Sequence, residues 1–564
     1  MKILSIYPYM HISSAAIIVD GKIICASPEE RFNRIKMSTD FPTKSIEWCL
    51  KYAKLKWSDI DVIAVPWNPG INIKNSSDRW LKTIRWRGEL LSNIPSQIMK
   101  MQKDEDISPM EISWNNNKVI FFNHHECHAA YSFFQSPFKN ADVITIDGHG
   151  EIESCFMGSY SNNKILKKSS VRYPHSLGLF YGTITDYLGF KPDSDEWKVM
   201  ALQSFNKGKN IFDKKINNLI KKTNNGFELD LSYFDYYLFD KQKNFYSKKL
   251  EKLFGPARNK DERLKTKHFQ IAAALQNKFF EILLHLIKIT KKNSKNTNLI
   301  ISGGAAMNSV ANGILDETKF YKDTWIGYAP DDSGVAIGAG LLAHHKFSKQ
   351  KRSIKEIKTN YFGPGYRTDE IKNILLKNKI NFFKPKSIYN FAAKEITKGK
   401  LIGLFQNKME FGHRALGNRS IIADPRNPKM KDTINKAVKY RETFRPFAPA
   451  VLEEFQQKIF KIRDKRKVYF MERVYQIKSN WQKKIPAVTH SDGSGRIQTV
   501  SKQTNKEFYN FINEFYKITK VPVLLNTSFN VNGEPIVMTP EDAIKTFYSC
   551  GLDILILNEF VVTK

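Results

Sequence analysis

The chain has 564 residues, too many for one hydrophobic core, which predicts at least two domains. Hydrophobic residues make up 41%, which excludes a disordered chain, and no stretch approaches the roughly 20 apolar residues of a membrane helix. Lys and Arg number 89 against 56 Asp and Glu, a formal charge of +33 that favours anionic partners: nucleic acid, a lipid surface or an acidic substrate.

The opening MKILSIYPYMHISSAAIIVD is broken by Pro8, His11 and Asp20 and alternates as a strand, unlike a secretory leader. MKILSIYPY and SSAAIIVDGKIICAS read as strands, the second a pair joined at an Asp20-Gly21 hairpin turn. TKSIEWCLKYAKL has helical periodicity and DIDVIAVPW returns as a strand. NKVIFFNH and ADVITIDGHG are strands flanking the helix-like HAAYSFFQS, and NTNLIISGGAAMNSVANGIL is a strand entering a Gly-rich turn and a helix. The alternation indicates an α/β protein. Residues 205–266 are Lys- and aromatic-rich without a clean period, and 345–366, with a charge run and Gly-Pro-Gly, reads as a linker. A second α/β segment, 367–564, carries KLIGLFQ, VPVLLNTS and LDILILNEFVV as strands. No internal repeat is visible. Five scattered cysteines (Cys25, Cys49, Cys127, Cys155, Cys550) support neither a disulfide framework nor a zinc ribbon, and a reducing cytoplasm is the expected home.

The densest chemical signal is Asn123-His124-His125-Glu126-Cys127-His128. On a helix His124 and His128 stand at i and i+4, so both imidazoles can reach one metal ion while His125 points elsewhere. The same spacing fits a surface histidine cluster at a helix start. VITIDGHGEIES puts Asp147 at the end of an apolar strand beside Gly148 and Gly150, suited to a closely approached ion or phosphate, or to a hairpin turn. APDDSGVAIGAGLLA opens a small-residue helix with Asp331 and Asp332, as ligands or as simple N-caps. In GGAAMN, Gly303 and Gly304 would let backbone amides approach a nucleotide at a helix start.

The second segment contributes KMEFGHRALGNRSIIADPR, KYRETFRPFAPAV, THSDGSGRIQTV and LLNTSFNVNGEPIV. Arg414, Arg419, Arg445 and Arg496 sit in them beside Gly, Pro or small polar residues, and guanidinium forks bind phosphate bidentately. They predict an anion pocket, with Asn526 and Ser528 as neutral hydrogen-bonding groups for an amide-like moiety.

Together these motifs resemble the NodU/CmcH-type O-carbamoyltransferases, in order and spacing over essentially the whole chain. The match includes H-x-S-S-A-A-I-I-V-D-G-K-I, EERFNRIK (29–36), HHECHAA, DGHGE, SLGLFYGTITDYLGF, GGAAMN and the four C-terminal segments. The resemblance implies an actin/Hsp70-like (ASKHA) α/β domain over 1–360, like that of tRNA threonylcarbamoyltransferases, and a YrdC-like α/β domain over 367–564. It implies that the second domain binds carbamoyl phosphate through Arg414, Lys439, Arg445, Arg496, Asn526 and Ser528 and releases carbamate. The first would join carbamate to ATP as carbamoyl adenylate and pass the carbamoyl group to an acceptor hydroxyl. His124, His128, Asp147 and Asp332 match the metal ligands, a donor set that suits Fe(II), with Zn, Mn or Mg as alternatives. Gly303, Gly304 and Asn308 match the adenosine-binding turn, and Gly148, Gly150 and Lys198 are further nucleotide positions. His11 and Lys36 match acceptor-site positions, with His11 as general base.

Two departures bear on the acceptor. Met10-His11-Ile12-Ser13-Ser14 lacks the Asp of G-H-D-x-S, and E-G-K-V-M-G reads Glu196-Trp197-Lys198-Val199-Met200-Ala201. The positive charge, with aromatics interleaved in Arg79–Arg87 and in 205–266, points to a polyanionic acceptor. A hydroxymethyl pyrimidine in DNA, 5-hydroxymethylcytosine, is the expectation, flipped from the stack against Trp197 or Trp86. An antibiotic or oligosaccharide hydroxyl, and a non-catalytic nucleotide- or DNA-binding module, are the competing readings. No membrane partner is expected, and the sequence is compatible with an oligomer.

Overall fold

The structure, a computed structural model, describes residues 1–74, 89–101, 119–161, 163–348, 350, 352–442, 444–463 and 466–564. The basic-aromatic run Arg79–Arg87, and with it Trp86, lies outside the described residues. Among the described residues no helix is long and apolar enough to cross a membrane. The chain forms two units, each mixed α/β.

The first unit comprises residues 1–25, 39–311 and 317–356. Its first sheet has the order Lys22–Pro28, Ser14–Val19, Lys2–Tyr7, Val62–Val65, Val119–Phe121. The strand Lys2–Tyr7 runs antiparallel to Ser14–Val19, Tyr7 opposite Ser14, and parallel to Val62–Val65, Ile3 opposite Val62. Asp20 and Gly21 turn the chain from Ser14–Val19 to Lys22–Pro28 with both φ positive, 48° and 74°, as a two-residue turn between twisted strands requires.

A second sheet repeats this plan. Ala141–Ile146 is antiparallel to Glu153–Ser161, which carries Lys164–Arg172, and parallel to Asn298–Ser302, which carries Asp323–Trp325. Each sheet is thus a three-strand meander followed by two parallel strands added on the other side of its first strand. The sequence hides this duplication because strands keep an apolar, half-buried pattern and not residue identities.

Two helices of this unit, His124–Gln135 and Asp332–Phe347, pack at close range. Gly338 makes that approach feasible, since a Cβ there would lie 2.0 Å from the Cys127 carbonyl oxygen. Gly334 does the same against the Tyr131 ring, 3.0 Å from a Cβ. The small-residue run is therefore a packing surface that holds Asp332 beside the histidine helix.

Within 205–266 several aromatics turn inward: Phe212, Phe227, Phe234, Tyr236 and Phe254 are buried, Phe205, Tyr237, Phe245 and Tyr246 are half-buried, and Lys214, Lys215, Lys221 and Lys248 face solvent. Lys215 lies over the Phe212 ring at 5.4 Å and Lys249 over that of Tyr233 at 4.2 Å, so cations here pair with rings of the protein itself.

The second unit comprises residues 26–38, 312–316 and 357–564, so the expected stretch 1–360 is not continuous. Both short segments are held by buried polar groups whose alternatives would be unsatisfied. Arg31 donates to the Gly412 carbonyl at 3.0 Å, and Arg34 to those of Ile536 and Pro535 at 2.7 and 2.9 Å. Asp316 pairs with Arg466 at 2.9 Å and Arg473 at 3.2 Å and accepts from the Tyr475 hydroxyl. The main sheet has the order Gln498–Val500, Ala448–Leu452, Val523–Ser528, Arg419–Ala423, Ile402–Phe405, Ile554–Leu557, Phe560–Thr563. Helices Ile388–Thr397 and Lys506–Thr519 pack together, and apolar side chains of both join the sheet's buried core. LDILILNEFVV, read as one strand, is a hairpin turned at Asn558 (φ 53°), with Ile554 opposite Thr563.

Candidate functional sites

In the first unit, helix His124–Gln135 presents His124 and His128 from one face, as the i, i+4 spacing requires. Asp147 follows strand Ala141–Ile146, and Asp332 opens the close-packed helix. One ligand atom from each of these four residues lies within 4.8 Å of the others. The His128 Nε2 to Asp147 Oδ2 distance is 2.8 Å, and the corresponding His124 distance is 3.3 Å. Both Nε2 atoms stand 3.4–3.5 Å from Asp332 Oδ1.

The surroundings fix the imidazoles. His124 Nδ1 faces the Pro66 carbonyl at 3.2 Å and His128 Nδ1 that of Pro330 at 3.0 Å. A carbonyl only accepts, so each Nδ1 carries the hydrogen and each Nε2 offers a lone pair. The two Nε2 atoms nonetheless lie 3.1 Å apart, and Asp332 Oδ1 is buried without a hydrogen-bond partner among the described residues. Four acceptors converging in a buried site require a cation, either a proton or a metal ion. Burial opposes charge on His124, but the Asp147 and Asp332 carboxylates, as acceptors and as negative charges, raise its pKa well above the usual imidazole range. Asp147 is driven well below the carboxylate range by the same histidines, against its burial. The donor set fits a divalent metal.

Residues the sequence reading passed over complete this centre. The Tyr7 hydroxyl donates to Asp332 Oδ2 at 2.6 Å, and Glu151 accepts the His124 and Asn68 amides at 3.0 and 2.7 Å. Tyr7 ends a strand and Glu151 follows DGHG, so position in the motif was the available signal. His125 points away, to Thr145 Oγ1 at 2.6 Å, and burial pushes its pKa down to about 3. Asp331 accepts from the Ser333 hydroxyl at 2.8 Å and lies outside the cluster of ligand atoms.

Of the expected nucleotide positions, Gly303 (φ 90°) must be glycine, because a Cβ would lie 2.2 Å from the Ile146 carbonyl. The Gly304 amide donates to Asp147 Oδ1 at 3.2 Å, which ties this turn to the histidine–carboxylate cluster. The Gly148 amide donates to the same oxygen at 2.9 Å and the Gly150 amide to the Glu153 carbonyl at 2.6 Å, so both are engaged within the protein. Asn308 exchanges paired amide hydrogen bonds with Gln276, both 3.0 Å. Lys198 pairs with Asp195 at 3.0 Å, and the Trp197 indole donates to the Ser194 carbonyl at 3.0 Å. His11 is half-buried in a loop whose Tyr9 and Ile12 both have left-handed backbones (φ 60° and 61°). Burial raises the pKa of the Asp193 carboxyl, against the opposing pull of nearby His11 and His149. Glu196 is pushed up to about 8 by burial and by Asp193.

In the second unit, Lys439 is buried, its ammonium donating to the Ser528 carbonyl at 2.5 Å and to Asn530 O and Oδ1 at 2.8 Å. Burial and then the charges of Arg441 and Arg445 drive its pKa well down, and Lys36 adds to that repulsion. Lys36 is thus near Lys439 in the second unit, and His11, the other expected acceptor-site residue, is in the first. Arg496 has its Nε buried and, among the described residues, no hydrogen-bond partner for it. Burial, Arg414 and Arg441 together pull the Arg496 pKa down.

Arg441, unselected by the sequence reading although it lies in KYRETFRP, is held by Asn435 Oδ1 at 2.8 Å and stacks over Phe447 at 4.8 Å. Arg445 pairs with Glu442 at 3.2 Å. Like charges so gathered are relieved by a bound anion. Arg419, expected in this pocket, is instead structural. It is fully buried, donates to the carbonyls of Gln406, Asn418, Pro364 and Asn407 at 2.6–3.2 Å, and stacks over Phe405.

Residues 2–341 match the family model for the carbamoyltransferase N-terminus and residues 393–564 that for the carbamoyltransferase C-terminus. An uncharacterized protein of Synechocystis is 35% identical, covering 100% of this chain and 96% of its own. Nodulation protein NolNO of Sinorhizobium fredii is 32% identical over 99% of this chain and 79% of its own. Nodulation protein NolO of Bradyrhizobium diazoefficiens is 35% identical over 78% of this chain and 79% of its own.

Proposed function

This chain belongs to the carbamoyltransferase family, and from that premise we propose that it carries the carbamoyl group of carbamoyl phosphate to an acceptor hydroxyl through carbamoyl adenylate made from ATP. The observation that carries the reading is the crowd of Lys439, Arg441, Arg445 and Arg496, in which Lys439 and Arg441 are held by neutral acceptors and Arg445 pairs with Glu442. In this scheme the second unit, YrdC-like in fold, binds the phosphate there, and water splits the carbamoyl ester to carbamate and inorganic phosphate. In the first unit, actin-like in fold, a carbamate oxygen attacks the α-phosphorus of ATP and pyrophosphate leaves. The acceptor oxygen then attacks the carbamoyl carbon, AMP departs, and His11 takes the hydroxyl proton. The paired three-plus-two sheets support the actin-like reading of the first unit.

His124, His128, Asp147 and Asp332 would hold the metal, Fe(II) by their donor chemistry, and when bound it neutralises phosphate charge beside the leaving group. Gly303 and Gly304 bring backbone close to Asp147, which supports a nucleotide next to that centre. The test is ATP-dependent pyrophosphate release with carbamoyl phosphate supplied. No release, in metal-replete protein, would overturn the reading.

For the acceptor we propose 5-hydroxymethylcytosine in DNA, supported by the +33 charge, since Phe212, Phe227, Phe234, Tyr236 and Phe254 are buried and not offered for stacking. Nuclease digests of treated hydroxymethylcytosine DNA should contain the carbamoylated nucleoside. Unmodified DNA under conditions where carbamoyl adenylate forms would transfer the assignment to an oligosaccharide or small-molecule alcohol.

A further inference from the structure

Asn526 is linked to the cationic cluster through its strand and its hydrogen-bond partners. It shares a strand face with Ser528, which Lys439 contacts, and its Nδ2 donates to the carbonyl of Ala415, next to Arg414. That same Nδ2 donates to Gln498 Oε1 at 2.8 Å, and Gln498 lies two residues beyond Arg496. Both side chains are almost wholly buried, Asn526 at 1% and Gln498 at 3% exposure.

The polarity of this pair is dictated by two backbone carbonyls. Ala415 O accepts from Asn526 Nδ2 at 3.1 Å and Leu416 O from Gln498 Nε2 at 2.9 Å. A carbonyl cannot donate, so neither amide can be flipped without setting oxygen against oxygen. One atom is left over: Asn526 Oδ1 is buried and has no partner among the described residues. A buried unpaired acceptor is costly, and such an atom at a binding site awaits a donor.

We propose that Gln498 is a positioning residue that locks Asn526 with its carbonyl oxygen toward the ligand, so that Oδ1 accepts from the NH2 of the carbamoyl group. The arginines recognise phosphate and cannot tell one acyl phosphate from another. Asn526 Oδ1 can, because a methyl in place of NH2 leaves it unpaired. Gln498 and Asn526 thereby set selectivity for carbamoyl over acetyl phosphate. This assignment rests on the carbamoyl phosphate reading of the site.

Two stable probes differ only in the group at issue: phosphonoacetamide carries the NH2 and acetonylphosphonate a CH3. Calorimetric titration of the full chain should show phosphonoacetamide binding about tenfold more tightly, the range of one buried hydrogen bond. In Asn526→Leu that ratio should fall to near one. In Gln498→Met it should fall several-fold, with acetonylphosphonate and inorganic phosphate binding as in the wild type, whereas a merely structural role would weaken all three together. Phosphate binding also reports that each variant is folded, and either variant suffices if the other is not. An unchanged ratio in a folded variant would overturn the assignment. If wild type binds inorganic phosphate but neither probe, the carbamoyl phosphate reading itself falls, and the assignment with it.

Discussion

At His128 and Arg496 the same physics appears with opposite sign: like groups are gathered where only a counter-ion relieves them. His128→Ala removes one of two facing imidazoles, so the folded variant should lose its metal, measured by elemental analysis, together with transfer activity. Full metal content would exclude this donor set. Because Asp147 and Asp332 lift the His124 pKa above the imidazole range in the metal-free site, protons compete with metal through neutral pH. Metal affinity should therefore rise with pH across that range, which competition with a chelator at several pH values would measure. In the second unit, Arg496→Ala and Arg441→Ala should each weaken phosphate binding by about 1.5–3 kcal/mol, the worth of a charge-assisted hydrogen bond. Intact phosphate affinity in Arg441→Ala would remove it from the pocket. Sequence reading could select Arg496 because its neighbours are small. It could not separate Arg419 from it, since four backbone carbonyls around a guanidinium leave no trace in a motif.

At the scale of elements, the helix Asp332–Phe347 is the part that makes the histidine–carboxylate cluster precise. Its glycines bring the backbone of the histidine helix within reach, and Gly338→Val would push Cβ and two methyls into the Cys127 carbonyl. Overpacking of this kind costs about 1–3 kcal/mol. The variant should melt at lower temperature and retain less metal, although no ligand has been changed. Unaltered metal retention would show that the helix contact does not set the site. The histidine helix, the Asp20-Gly21 hairpin and most strands were legible because period and turn chemistry are local. The duplication of the sheets and the Asn558 turn were not. A topology can be repeated without repeating residues, and a lone Asn-Glu between two apolar runs is a weak turn signal.

Across the whole molecule, the units are not successive stretches of chain. Asp316 is nearly inaccessible and serves Arg466 and Arg473, so Asp316→Asn should leave two buried guanidinium groups short of charge and cost about 3–5 kcal/mol. Burial raises the Asp316 carboxyl, but the two arginines outweigh it and hold its pKa below the carboxylate range. Its contribution is therefore complete above the unfolded pKa of about 4 and is lost as pH falls through the lower folded value. Denaturant melts of wild type and Asp316→Asn should differ most near neutrality and converge under acid. A constant difference across that range would mean the loss is one of packing. Residues 29–36 read as a functional motif in sequence, yet Arg31 and Arg34 are used for anchoring and only Lys36 lies with the cations.

The six alternating segments also order events during synthesis. Ala26–Ser38 leaves the ribosome more than 300 residues ahead of the first residue of the long segment it joins. At roughly 5–20 residues per second it must wait about 15–60 s with Arg31 and Arg34 lacking their acceptors. A ribosome halted before Ile357 would then carry all four residues of the His124, His128, Asp147 and Asp332 cluster, together with a clasp whose acceptors have not yet been made.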